Sequence, residues 1–218
     1  MFSTERVAAN IGRKAKLVLN VDDDKEQIII YGAINLLQTI FAVLWVIVIG
    51  ILLGVLNEAL IFSVSVAILR KYSGGVHASS PSRCIIIGTV FAAIAGITID
   101  KLFCKLATST VTVISIFCII AALIIVFQNA PVDSIKKPIT NIEMKKRFKR
   151  NSYAVICIFS LLILTLFAIN KTYPELYYIK IIESISFGML WQSITLTKTG
   201  TLAINKVDFT IKNIIERG

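Results

Sequence analysis

Apolar residues run through this chain in long blocks separated by short polar stretches. The blocks fall at 28–56, 59–69, 84–99, 107–127, 153–169 and 176–197. A membrane-spanning helix needs about 20 residues, so the first block is ample and the second and third are short. Ahead of them, residues 2–20 set Val7, Ile11, Ala15 and Val18 at helical spacing among Arg6, Arg13, Lys14 and Lys16. This is a basic amphipathic helix, lying at the headgroup level or packed on the bundle as an ordinary first helix. Asp23 with Glu26 three residues on resembles a capping box that opens the first long helix. The pattern predicts an all-α integral membrane protein: about six transmembrane helices behind an N-terminal amphipathic helix. It forms one domain over residues 1–218, with an arm at 1–25, a polar loop at 70–84 and a basic loop at 128–150.

Composition narrows the class. A chain that is 56% hydrophobic, with a mean hydropathy of +0.80, is too apolar for a soluble domain of 218 residues. Its net charge of +10 lies between apolar blocks, as positive-inside loops do. With six crossings, 19 Lys and Arg fall on one side and 4 on the other. The 4 are Lys101, Lys105, Lys171 and Lys180. The bias places both termini, the 70–84 loop and the 128–150 loop in the cytoplasm. No nucleic-acid motif accompanies the charge, so the expected partner is the lipid bilayer. No apolar core follows the first basic residues before Asp22-Asp23-Asp24, which argues against a cleaved signal peptide.

The four cysteines form no CxxC pair, which argues against a disulfide framework. With one histidine there is no HExxH and no zinc-ligand spacing, so neither metal nor cofactor is expected. That histidine, His77, lies in the polar island Arg70-Lys71-Tyr72-Ser73-Gly74-Gly75-Val76-His77-Ala78-Ser79-Ser80-Pro81-Ser82-Arg83-Cys84. In one unbroken helix, seven residues would hold His77 and Cys84 roughly 10 Å apart. Gly74-Gly75 and Pro81 break that helix. Ser80 reads as an N-cap with Pro81 at the first helical position, leaving Cys84 near the end of the first turn. There the helix dipole and the adjacent Arg83 both favour a thiolate, and the loop is long enough to fold His77 back beside it. The residues alone leave two readings open: a thiolate–imidazole pair, or a solvated loop histidine near a half-buried cysteine. Cys118 and Cys157 sit among aliphatic residues where a thiol is inert. Cys104 has no histidine and falls on the far side.

At these residues the chain resembles the AgrB family, the membrane peptidases of Gram-positive quorum-sensing systems. The island from Arg70 to His77, followed by Cys84, is similar to the family's signature. So are Ala130-Pro131-Val132-Asp133-Ser134-Ile135-Lys136-Lys137-Pro138-Ile139 leading to the basic 145–150 segment, and the arm leading to Tyr31-Gly32. The resemblance covers essentially the whole chain. It implies a multi-pass protein of the cell membrane whose catalytic His77 and Cys84 face the cytoplasm. The implied activity is that of a cysteine endopeptidase. It cleaves the C-terminal part of an AgrD-type precursor through a Cys84 thioester and promotes closure of a thiolactone or lactone autoinducing peptide. A homodimer is an expectation of the resemblance and of no residue pattern.

Arg70 and Gly75 lie within the family motif. Arg70 can orient a substrate carboxylate or an oxyanion, or simply anchor the end of a helix; Gly75 shapes the loop. Ser73, Ser79, Ser80 and Ser82 are hydrogen-bonding candidates, or merely a polar turn. Asp133 is cytoplasmic, but nothing in the sequence brings it near His77. The cluster Lys136, Lys137, Lys145, Lys146, Arg147, Lys149 and Arg150 serves topology and anionic lipid, or else an acidic precursor tail. Glu183, Gln192 and Ser193, with Asn35 and Gln38, are polar at membrane depth, where such groups face the bundle interior. The competing class is a peptide transporter or membrane scaffold in which Cys84 is incidental.

Overall fold

The computed structural model describes residues 3–76, 78–132 and 141–217. Among these residues the fold is all-helical: α1 (Ser3–Leu19), α2 (Asp23–Leu53), α3 (Leu56–Ser73), α4 (Pro81–Lys101), α5 (Thr108–Asn129), α6 (Ile142–Thr172), α7 (Leu176–Ile194) and α8 (Lys198–Arg217). Four helices are long and apolar enough to cross a membrane: α2, α4 with the short turn after it, α5 and α6. With α3 and α7, they occupy the six apolar blocks.

α3 and α7, the two shortest of the six, are also set apart by their surroundings. They pack on one another, and each also touches α4 and α6; α7 packs on α5 and α3 on α2. Enclosed helices face protein rather than lipid and can carry polar groups. On α7 Glu183, Ser184, Ser186, Gln192 and Ser193 are all buried, as expected for the three of them singled out from sequence. Asn35 departs from that expectation and is exposed on α2. The α3–α7 approach needs a small residue, since a Cβ on Gly188 would stand 2.8 Å from the Phe62 carbonyl oxygen. Outward positions of the long helices stay apolar and exposed, among them Leu36, Leu44, Phe117, Ile158 and Leu161.

Three local readings need correction. The cap of α2 is Asp22, whose carboxylate accepts from Lys25 N–H at 2.8 Å; Asp23 instead pairs with Lys16. The chain turns back at Asn20, in left-handed backbone, so α1 lies on α2. Val7, Ile11, Leu17 and Val18 nevertheless remain exposed. The basic loop is shorter than expected, because Lys145–Arg150 already belong to α6. The tail after 197 is a further amphipathic helix, α8.

The two ends of the bundle differ. At one end Lys180 of α7 bridges Glu58 of α3 at 3.0 Å and Asp100 of α4 at 2.5 Å. Removing the ammonium leaves two carboxylates facing each other. Lys180→Met is therefore expected to destabilise the detergent-solubilised protein by about 2–4 kcal/mol, between exposed and buried ion pairs. Lys101→Met, at an exposed partner of Asp100, should change the unfolding midpoint little. Equal midpoints for the two variants would contradict the ionic tie.

Candidate active site

The other end of the bundle holds the 70–84 segment. α3 stops at Ser73 because Gly74 and Gly75 follow with φ of +71° and +125°, values that L side chains rarely adopt. A backbone leaving a helix inside protein needs new hydrogen-bond partners. Ser73 C=O accepts from Val132 N–H at 2.9 Å, and Gly74 C=O accepts from the Gln192 amide at 2.8 Å. The same amide nitrogen donates to the fully buried Ser73 hydroxyl at 3.1 Å. A Cβ on Gly74 would lie 2.1 Å from Val132 O, and one on Gly75 would lie 3.1 Å from Thr195 Oγ1. Both glycines are thus seated against the end of α7 and the segment after α5.

The second half of the segment is held by a residue that local sequence reading missed. Asp208 of α8 accepts from Ser79 N–H at 3.1 Å and Ser79 O–H at 2.6 Å with one oxygen. The other oxygen accepts from Arg83 Nε at 2.7 Å. Arg83 also donates to the Ser79 hydroxyl. Its charge is thus spent on Asp208, which corrects the expectation that it serves Cys84. Arg70, at the end of α3, lies within electrostatic range of Cys84, and its guanidinium donates to Val76 C=O.

α4 opens as expected in position but not in bonding. Ser80 has the extended N-cap backbone and Pro81 stands at the first position. The Ser80 hydroxyl makes no capping bond, and it is buried without a partner among the described residues. Cys84 N–H donates to Ser80 C=O at 3.0 Å, so it is not free for an oxyanion. The first-turn donors that remain are Ser82 and Arg83 N–H. Cys84 is half-buried and unbridged; Cys118 is buried on α5, and Cys157 lies on the outer face of α6. The structure brings Arg70, Ser73, Gly75, Ser79, Ser80 and Cys84 into one locality. His77 and Asp133 lie outside the described residues, as do Lys136 and Lys137.

Two outcomes follow from this geometry. Gly74→Ala is expected to destabilise by upwards of about 2 kcal/mol, through positive φ and overlap with Val132. Thermal unfolding of the variant in detergent measures it. Asp208 is burdened by burial, which raises its pKa, but the Ser79 hydrogen bonds and the Arg83 charge together leave it below the ordinary 3.8. A depressed carboxylate contributes stability above that ordinary value and loses it as pH falls through its folded value. The unfolding-midpoint gap between wild type and Asp208→Asn should therefore be steady from about pH 8 to 5 and shrink below about 4.

Comparison with known proteins gives the family. The sequence profile described as Accessory gene regulator B matches residues 4–196. An AgrB-like protein 2 of Clostridium perfringens (strain 13 / Type A) is 34% identical over 207 residues, covering 94% of this chain and 96% of its own. An AgrB-like protein of Clostridium perfringens (strain SM101 / Type A) is 33% identical over the same length and shares. No solved structure matches. The chain is a membrane protein, and it belongs to the Accessory gene regulator B (AgrB) family.

Proposed function

We propose that the protein is a membrane cysteine endopeptidase that processes an AgrD-type autoinducer precursor and promotes its cyclisation. The observation that carries this reading is Cys84 in the first turn of α4, beside the Arg70 charge, at the end of a loop held by α7 and α8. Family membership supports the precursor as the substrate. In this reading all six apolar helices cross the membrane of a Gram-positive cell. Both termini and the Cys84 loop face the cytoplasm. The alternating directions of α3 to α7 agree, since α3, α5 and α7 all end at the Cys84 end, where α4 and α6 begin.

His77 takes the proton from Cys84, and the thiolate attacks the scissile carbonyl. The oxyanion is met by Ser82 and Arg83 N–H and by the Arg70 guanidinium. Collapse of the intermediate breaks the C–N bond, and the imidazolium returns its proton to the departing amine of the C-terminal tail. The precursor is then a thioester on Cys84. A thiol or hydroxyl within the precursor attacks that thioester, closes the ring and restores the Cys84 thiol. Thioester exchange is nearly balanced in energy, and loss of the tail draws the sequence forward. Water competes for the acyl carbon, so the internal nucleophile must be held close; effective molarity supplies that advantage.

Cys84→Ala and His77→Ala should each abolish cleavage of a co-expressed AgrD-type precursor, whereas Cys104→Ala should process normally. Mass spectrometry of the product decides the second step, a cyclic peptide being one water lighter than the hydrolysed one. A transporter or scaffold would tolerate Cys84→Ala.

A further inference from the structure

Asp208 is an expensive way to join two helices. Its side chain is only 11% exposed, and burying a carboxylate with an arginine stabilises a contact less reliably than an apolar pair of the same size. What the carboxylate adds is direction. One oxygen takes both hydrogen bonds from Ser79, and the other takes Arg83 Nε. The Arg83–Ser79 bond closes the triangle. Ser79 is two residues after His77, and Arg83 immediately precedes Cys84. The triangle therefore ties the end of the loop to the first turn of α4 across the Pro81 corner.

The support behind Asp208 is equally specific. The α7–α8 corner is made by Thr197, whose hydroxyl accepts from Gly200 N–H at 3.0 Å and whose carbonyl accepts from Thr201 N–H at 2.9 Å. A Cβ on Gly200 would lie 2.1 Å from Ile194 O, so the corner is tight. Ile204, one turn before Asp208, is buried. The start of α8 is thereby seated against the end of α7, the helix whose Gln192 grips Ser73 and Gly74, while α8 itself packs on α4. Residue 208 also lies beyond the 4–196 span that matches the family profile.

We propose that Asp208 is a positioning residue for catalysis, acting through Ser79 and Arg83 to fix the segment that bears His77 and Cys84. It also draws the Arg83 charge away from the sulfur. The role rests on the peptidase reading, so the test needs one readout that works without a substrate.

That readout is the rate at which iodoacetamide labels Cys84 in membranes, in full-length chain carrying Cys104→Ala, Cys118→Ala and Cys157→Ala. Iodoacetamide is small and neutral, and the rate at one fixed neutral pH reports how much of the sulfur is held as a reactive thiolate. Asp208→Asn, which keeps the shape and removes the charge, frees Arg83 beside the sulfur and is expected to speed labelling by about threefold per folded molecule. In vesicles with an AgrD-type precursor, the same variant should lower kcat by about 10- to 100-fold with KM within about twofold, the signature of misplaced reacting groups. Asp208→Glu should bring both rates most of the way back to the wild-type values. Labelling of Asp208→Asn at the wild-type rate overturns the proposal. So does an equal loss of processing in Asn and Glu variants that merely follows the amount of folded protein. If the wild type processes no precursor, the peptidase reading fails alone, and the labelling arm still decides whether Asp208 sets the state of Cys84.

Discussion

A chain that leaves its helix within a membrane protein must find protein partners for the backbone groups it exposes. The 73–76 stretch shows how that demand shapes the molecule. Its carbonyls are taken by Val132 N–H and by the Gln192 amide, and its glycines lie too close to Val132 and Thr195 to carry side chains freely. Gln192 can serve only if α7 ends beside α3, and Val132 only if the chain after α5 passes the same point. α7 is accordingly central and polar, wrapped by helices that take the lipid contact in its place. A fully apolar α7 would suit the bilayer better and leave the loop unsupported.

How much of this was legible in the sequence depends on the range of the interaction. The six apolar blocks mark six helices because a long run of Ile, Leu, Val and Phe has few other stable states in lipid. The break at Gly74-Gly75 and the restart at Pro81 were also readable, since glycine and proline act on their own backbone. α8 was less visible: its apolar residues are interleaved with Lys198, Lys206, Lys212 and Asp208, so no block stands out. Spacing could not show what Arg83 does, because its partner is 125 residues away. Proximity in sequence to Cys84 suggested a role in charging the sulfur, and a distant carboxylate took that role away. Ser80 illustrates a subtler failure. Its backbone is that of an N-cap, yet the hydroxyl does not use it. Residue type predicted the conformation but not the bond.

The opposite ends of the bundle are held by different forces, and the difference suits the proposed chemistry. Around Lys180 two carboxylates and one ammonium tie α3, α4 and α7 through charge, which is strong but tolerant in direction. Around Cys84 the Arg83–Asp208 ion pair is joined by directional hydrogen bonds to named atoms of the loop. A nucleophile, its base and an acyl carbon must meet within a few tenths of an ångström, and directional bonds set such positions where Coulomb attraction alone does not. The arrangement gives each half of the segment its own support. Gln192 holds the exit from α3, and the tight corner at Thr197 aims Asp208 at the entry to α4.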